Sequence, residues 1–342
     1  MSQPLSALAL QQVLAQHFDH LAEVNRDEKQ PGPIRKVPLL AVVIPCRNEE
    51  STIAQVVADF RQALPEARIA VFDNASTDET SVLARAAGAE VFREARPGKG
   101  HVVRRMFADV EADIYLMADG DGTYDAASAR RLVDLVACGG YDMVVGARAD
   151  IGRNAHRRGH AVGNRLFNHL YGRLFGAEFG DIFSGYRAFS RRFVKSFPAL
   201  SSGFEIETEL SVHARQLKLA TAEVLLPYCE RVNGSVSKLR TFRDGLRILG
   251  VLLYLLKETR PMLFFGLPAA LTALLAAVLS IPLFDTYLTS GTVPRLPTAV
   301  LCTGLSLGAA LLAVCGIILD SVARGRAEQK RMLFLAVSQT RI

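Results

Sequence analysis

The sequence predicts an α/β fold, a mostly parallel sheet with flanking helices, followed by an amphipathic interfacial helix and a C-terminal two-helix transmembrane hairpin. Three observations carry this. From residue 38 to about 150, short apolar runs alternate with segments of helical spacing, and each strand–helix–strand unit implies a right-handed crossover between parallel strands. The runs Met262 to Phe284 and Thr298 to Leu319 are uncharged. Each is long enough to cross about 30 Å of hydrocarbon as a helix of about 20 residues. Finally, Lys and Arg crowd the outer flanks of those runs: Arg231, Lys238, Arg240, Arg243, Arg247, Lys257 and Arg260 before the first, Arg324, Arg326, Lys330 and Arg331 after the second. The loop between them, "DTYLTSGTVPRLP", carries one Asp and one Arg, so the positive-inside tendency puts both termini in the cytoplasm.

Taken in order, residues 1–37 hold leucines and Phe18 at roughly helical spacing, then the linker "KQPGPIRKVP". They read as a docking helix and linker. No basic stretch precedes an uninterrupted apolar core, so no cleaved signal peptide is expected. Residues 38–240 form the main domain. "LLAVVIP", "ARIAVFDN", "AEVFRE", "ADIYLMAD" and "YDMVVGAR" read as strands; "ESTIAQVVADFRQAL", "TDETSVLARAAG", "HVVRRMFADV" and "AASARRLVDLVAC" read as the helices between them. Beyond residue 150, "DIFSGYRAFSRRFVKSFPAL" suggests a strand and a short helix, "GFEIETELSVHARQL" a helix, and "AEVLLPYCERV" a strand. Within 241–260, "TFRDGLRILGVLLYLLKE" is too short in its apolar part to span and reads as a helix lying in the membrane surface. Residues 261–320 form the hairpin and 321–342 a cytoplasmic tail. Small residues in Leu301 to Gly316 allow close helix packing, compatible with a homo-oligomer.

Composition narrows the function. Half of the 342 residues are apolar and the formal charge is +6. The five cysteines lack CxxC spacing, which argues against a disulfide framework or zinc site and for a reducing cytosol. The basic patches abut apolar spans and are not interleaved with aromatics, so membrane lipids or phosphates, and not nucleic acid, are the expected partners.

The chemistry concentrates at strand ends, where open α/β sheets bind ligands. "MADGDGTYD" places Asp119 and Asp121 just beyond an apolar run. An acidic turn remains one reading. A calcium loop fails, because Tyr124 stands where the turn glycine belongs and Arg130 where the bidentate carboxylate belongs. The other reading is a hard-oxygen site for Mg²⁺ or Mn²⁺ shared with phosphate oxygens, with Gly120 and Gly122 admitting a nucleotide close to the backbone. Pro45, Asn48 and Glu49 in "VIPCRNEE" and Asp73 in "FDNAST" offer a base-and-ribose pocket. Arg96 and Lys99 of "RPGKG", or Arg148 of "VGAR", offer countercharge for a diphosphate. "RPGKG" is not a Walker sequence, since Lys99 is followed by Gly100. Its glycines mark either a tight turn starting a helix or a direct phosphate contact.

"VVIPCRNEE", "VFDNASTDET", "RPGKG", "MADGDG" and "VGAR", in this order, resemble the family 2 glycosyltransferases of the GT-A fold, in particular the polyprenyl-phosphate glycosyltransferases similar to dolichol-phosphate mannose synthase. The resemblance continues through "GNRLFNHLYGRLFG", "DIFSGYRAFSR" and "YCERVNGSVSKLR", covering roughly residues 38 to 245, and the two spans resemble bacterial members with a membrane hairpin. It implies that Pro45, Asn48, Glu49, Asp73, Lys99, Asp119, Gly120 and Asp121 hold the nucleotide-sugar donor. It implies further that Asp119 and Asp121 form the DxD metal element, with Asp121 on Mg²⁺ or Mn²⁺, and that Arg148, Arg231 and Lys238 meet donor diphosphate or acceptor phosphate. Arg165, Arg187 and Ser237 are placed with the acceptor phosphate as well. One departure stands out: Thr123 occupies the position where dolichol-phosphate mannose synthases carry a Gln that is often a further metal contact.

The expected reaction is inverting transfer of a sugar from a nucleotide-sugar to polyprenyl (undecaprenyl) phosphate at the cytoplasmic membrane face. A phosphate monoester with a second pKa of about 6 arrives ionised and needs no strong base. Transfer to the hydroxyl of a lipid-linked saccharide, the alternative, would want a carboxylate base, for which Asp181, Glu205 and Glu207 are candidates. Processive synthases resembling this family carry a Trp-containing QxxRW element, and this chain has no Trp. A non-catalytic nucleotide-binding scaffold is the remaining alternative, opposed by an intact DxD element and intact basic residues.

Overall fold

The computed structural model describes residues 38–148, 172, 179–203, 205–227, 250 and 253–337. Among these the strands are β1 (Leu40–Cys46), β2 (Arg68–Asp73), β3 (Glu90–Arg93), β4 (Ile114–Met117), β5 (Met143–Arg148), β6 (Arg187–Ser190) and β7 (Thr221–Leu226). They form one sheet in the order β3-β2-β1-β4-β6-β5-β7. Alternation of side chains along the strands divides the core in two. Ala41, Val43, Ala70, Phe72, Tyr115, Met117 and Val145 point to one face. Leu40, Val42, Ile44, Ile69, Val71, Leu116 and Val144 point to the other.

The helices cover both faces, which is why the strands read as continuous apolar runs. α1 (Ile53–Ala63), α2 (Thr80–Ala86) and α4 (Ala129–Ala137) supply Val57, Phe60, Ala84, Leu132 and Val136 to the second face. α3 (Lys99–Asp109), α5 (Arg191–Ser196) and α6 (Ile206–Gln216) supply Val103, Met106, Phe193, Leu210 and Ala214 to the first. The sheet is mostly parallel, as expected, with β6 antiparallel to both β4 and β5. An antiparallel neighbour needs no crossover helix, and β6 runs directly into α5, whose first turn is capped by Ser190 Oγ accepting from Phe193 N.

α7 (Pro261–Ser290) and α8 (Leu296–Ala336) contain the two uncharged runs and have windows of mean hydropathy 2.3 and 2.2. They pack on each other through Ala269, Ala276, Cys302, Ala309 and Gly316, all buried. A Cβ at Gly316 would lie 3.3 Å from Phe265 Cβ, so Gly316 meets α7 of the same chain, whereas Cβ atoms at Gly304 and Gly308 would meet nothing within 4 Å. Around this seam Leu267, Leu271, Ile281, Phe284, Val300, Leu307 and Ile317 are exposed. Such a continuous apolar surface is what a bilayer, and not water, would cover; the pair is consistent with membrane association.

At 41 residues and about 1.5 Å per residue, α8 is roughly 60 Å long and must extend well past a hydrocarbon core. Of the expected tail from residue 321, the part through Ala336 continues α8 and docks on the main domain. Phe334 is buried under the Arg192 guanidinium, 4.6 Å from its ring centroid. Arg331 donates to Leu217 O at 3.0 Å and Lys330 to Gln216 Oε1 at 3.2 Å. Of the expected interfacial helix, 253–259 are helical with Leu255 and Leu256 buried, while 241–249, like the expected N-terminal helix in 1–37, lie outside the described residues.

Candidate active site

Because β1, β2, β4, β5 and β7 run the same way, all five end at one edge of the sheet, and β6 begins there. Among the described residues, Asn48, Glu49, Asp73, Asp119, Gly120 and Asp121 lie just beyond the strand ends at this edge, and Arg148 is the last residue of β5.

The loops after β1 and β2 are laced together. Asn48, at φ 52°, accepts from Thr77 N through Oδ1 at 2.9 Å, while its own N donates to Ser76 Oγ. Glu49 N donates to Thr80 Oγ1 at 2.9 Å. Asp73 accepts from Ser76 N (3.0 Å) and Ser81 Oγ (2.6 Å), which fixes its carboxylate at the strand end. Pro45 is buried inside β1 opposite Phe72. Its missing N–H falls beyond Val43–Met117, where the β4 ladder has ended, so the sheet tolerates it there.

The Asp119–Thr123 turn is held from two sides. Thr52 Oγ1 donates to Gly120 O at 2.8 Å, and Gly122 takes φ 71°, a left-handed conformation that favours glycine. A Cβ on Gly120 would sit 3.0 Å from Cys46 Cβ and 3.3 Å from Ile53 Cδ1. The missing side chain of Gly120 makes room for the core. Asp121 is buried and its Oδ1 accepts from both Thr123 N (3.2 Å) and Thr123 Oγ1 (2.6 Å).

Lys99 does not point outward as bare countercharge. Its Nζ lies 2.5 Å from Asp119 Oδ1 and 2.6 Å from Glu207 Oε1, in a three-member cluster of buried Lys99 and Glu207 with partly exposed Asp119 that joins α3, the β4 turn and α6. Burial alone would favour a neutral amine, but the two carboxylates overcome it and hold the Lys99 pKa above its ordinary value. Burial pushes the Glu207 pKa up, an effect that Lys99 only partly offsets. Two residues that sequence reasoning missed complete the wall. A Cβ on Gly185 would lie 2.6 Å from Asp119 Oδ2, and Gly185 N donates to Tyr124 OH at 2.9 Å. Tyr124, held neutral by burial and the nearby Asp119 charge, directly follows the acidic turn, which was the available signal.

The "RPGKG" glycines are resolved in favour of the turn. Gly98 takes φ 134°, and added Cβ atoms on Gly98 and Gly100 would sit 2.2 Å from Ser202 O and 2.1 Å from Ser201 O. Glu209 fixes that opposing strand of backbone by accepting from Leu200 N and Ser201 N.

Arg148 and Asp181 form a two-pronged ion pair, Nε to Oδ2 at 2.7 Å and Nη2 to Oδ1 at 2.8 Å, with Asp181 almost fully enclosed. Glu205 accepts from Gly203 N. Arg187, expected on the acceptor phosphate, is corrected: it is fully buried and donates to Ser184 O, Ile182 O and Ser211 Oγ, binding the turn before β6 to α6. Arg165, Arg231, Ser237 and Lys238 lie outside the described residues. The last three follow β7, which ends at this edge.

Among the described residues no cluster of three or more His, Cys, Asp or Glu forms a ready-made metal cage. Two adjacent carboxylates of hard oxygen nevertheless fit Mg²⁺ or Mn²⁺, which take one or two protein carboxylates and complete their shell with phosphate oxygens and water.

Comparison with known proteins agrees with this geometry. Residues 41–197 match the model of glycosyl transferase family 2. The chain is 53% identical to protein RfbJ of Shigella flexneri over 121 residues, 35% of this chain and 94% of that protein. It is 35% identical to glycosyltransferase AglJ of Haloferax volcanii over 229 residues, 66% of this chain and 75% of that one. Among solved structures, it resembles glucosyl-3-phosphoglycerate synthase from Mycobacterium tuberculosis in complex with Mn²⁺, uridine-diphosphate-glucose and phosphoglyceric acid. That likeness has a TM-score of 0.54 at 24% identity, covers 66% of this chain and 85% of that one, and identifies the fold as GT-A-like.

Proposed function

We propose a specific reaction for this chain, which belongs to glycosyl transferase family 2 and is a nucleotide-sugar glycosyltransferase of that type: inverting transfer of one sugar to a polyprenyl (undecaprenyl) phosphate. In this reading residues 38–240 are the transferase domain and 261–320 the membrane hairpin. The domain and both termini lie on the cytoplasmic face.

The observation that carries the acceptor is the state of the carboxylates. Asp181 is paired through both oxygens with Arg148, Glu207 is paired with Lys99 through Oε1 while its Oε2 is buried away from solvent, and Glu205 accepts from a backbone N–H. Each candidate base for a sugar hydroxyl already accepts from a neighbour, whereas a phosphate monoester brings its own charge and needs none. The attachment supports the same reading. α6 carries Glu207 near its first turn and, about 14 Å and nine residues of helix further on, meets the charged extension of α8 at Lys330 and Arg331, which continues the apolar hairpin.

Asp73, Asn48 and Glu49 would orient base and ribose, while Lys99 keeps Asp119 in place. Asp119 and Asp121 would hold a divalent cation, which supplies charge neutralisation on the departing diphosphate. Arg148, whose side chain is partly exposed while Asp181 anchors it, would present its guanidinium edge to phosphate oxygens. One in-line displacement inverts the anomeric centre. The test is a screen of UDP- and GDP-sugars with undecaprenyl phosphate and Mn²⁺, read by product mass. One hexose or related sugar on the lipid phosphate is expected, lost with EDTA and in Asp121→Asn. Activity that survives both would contradict the metal assignment.

A further inference from the structure

We infer that Thr123 is the positioning residue of the metal element: its hydroxyl acts through Asp121 and is not itself a metal ligand. The inference rests on the proposed donor site and assigns a role to the one residue of the acidic turn that departs from the resemblance.

The geometry has three parts. Thr123 Oγ1 donates its proton to Asp121 Oδ1 at 2.6 Å, and Thr123 N donates to the same oxygen at 3.2 Å. Two donors on one oxygen fix both carboxylate torsions, where a single donor would leave the group free to rotate. The backbone that returns Thr123 to this oxygen depends on Gly122 at φ 71° and on Thr52 Oγ1 holding Gly120 O at 2.8 Å. The turn is thus clamped on both sides of Asp121. Finally, Thr123 is 1% exposed and Asp121 5%, so the hydrogen bond between them is shielded from water.

A longer amide side chain at this position would reach past Asp121 toward a cation. The shorter threonine hydroxyl is instead held against Asp121 Oδ1 by its own proton. What it supplies is orientation of the carboxylate before the cation arrives, the service that hydrogen-bonding neighbours of metal ligands perform and whose loss typically weakens metal affinity by about 10–100-fold.

The experiment measures Mn²⁺ affinity of the detergent-purified full-length protein, with UDP present and without it, from the free Mn²⁺ signal in electron paramagnetic resonance. Four proteins are compared with the parent: Thr123→Val, which keeps the shape and removes the hydroxyl; Thr123→Ser, which keeps the hydroxyl; Asp121→Asn; and the Asp121→Asn/Thr123→Val double variant. Circular dichroism confirms that each is folded. About 10-fold weaker binding is expected for Thr123→Val, with Thr123→Ser within about 3-fold of the parent. On the Asp121→Asn background, Thr123→Val should add nothing, because its effect passes through Asp121. Equal losses for the Val and Ser variants, or full additivity in the double variant, would overturn the inference and leave the metal site standing. Unchanged affinity in Asp121→Asn would overturn the metal site and the inference together.

Discussion

Replacing Lys99 by methionine tests the buried charge cluster on which the donor site is built. Lys99 is the shared counterion of Asp119 and Glu207, at 2.5 and 2.6 Å, and the side chains of Lys99 and Glu207 are 9% and 5% exposed. Removing one partner from a buried ion pair typically costs about 3–5 kcal/mol, because the remaining charge is left without compensation. Asp119 is 27% exposed and water can screen part of its charge, which puts the expectation near the lower end, about 3 kcal/mol. For a domain of this size that corresponds to a melting midpoint lower by about 6–12 °C. The assay is thermal unfolding of the detergent-purified protein followed by circular dichroism, with Lys99→Met, Glu207→Met and the double variant forming a cycle. The double variant should be less destabilised than Lys99→Met alone, since it also removes the orphaned Glu207. The pH dependence has a definite sign. Glu207 has a raised pKa in the folded protein, so without Lys99 the folded state binds the extra proton first, and acidification from pH 7 toward 5 should shrink the deficit. A loss below about 1 kcal/mol, or a double variant worse than Lys99→Met, would refute the bridging role.

The other expectations are independent of that cluster. Gly100→Ala places a Cβ 2.1 Å from Ser201 O, so it should destabilise the fold by about 1–3 kcal/mol in the same assay; unchanged stability with lost nucleotide affinity would return Gly100 to a phosphate-contact role. His213 is buried between Phe193 and Phe197, and burial, followed by the Lys330 charge, lowers its pKa to about 3. The unfolded chain takes up this proton near pH 6.5 and the folded one does not, so His213 costs nothing above that pH and about 1.4 kcal/mol per pH unit as pH falls toward 3. His213→Leu should remove this part of the acid slope, measured by chemical unfolding between pH 7 and 4, and an unaltered slope would contradict the burial. A reporter fused after Ile342 should read cytoplasmic; a periplasmic signal would reverse the proposed orientation.

Much of this architecture is legible in the sequence because it is local. Uninterrupted apolar runs mark β1, β2 and β4 as strands covered on both faces, and 3.6-residue spacing marks α1, α3 and α4 between them. The DGDG turn and Asp73 are visible as carboxylates at strand ends, where parallel order alone brings them together. The misses are non-local. Nothing near Lys99 shows that its partner is Glu207 on a distant helix, and "RPGKG" therefore reads as free countercharge. Arg187 is charged in the sequence, but its burial is set by acceptors on the turn at Ile182 and Ser184 and by Ser211 on α6. The placement of β6 between β4 and β5 has no local signature either, since its side-chain alternation is the same in parallel and antiparallel pairing. Beyond Leu319, charge marks the end of an apolar span, yet the helix itself persists because Phe334 finds a buried socket under Arg192.

The central claim is that the nucleophile is a lipid phosphate and not a sugar hydroxyl. Its most direct test offers the purified protein, with Mn²⁺ and the nucleotide-sugar it accepts, two acceptors in parallel: undecaprenyl phosphate and an undecaprenyl-diphosphate-linked saccharide. Mass spectrometry and mild acid hydrolysis then locate the new bond. A single sugar on the monophosphate, released intact by mild acid as expected for a glycosyl phosphate, is the predicted result. Extension of the lipid-linked saccharide, with undecaprenyl phosphate left unmodified, would contradict it.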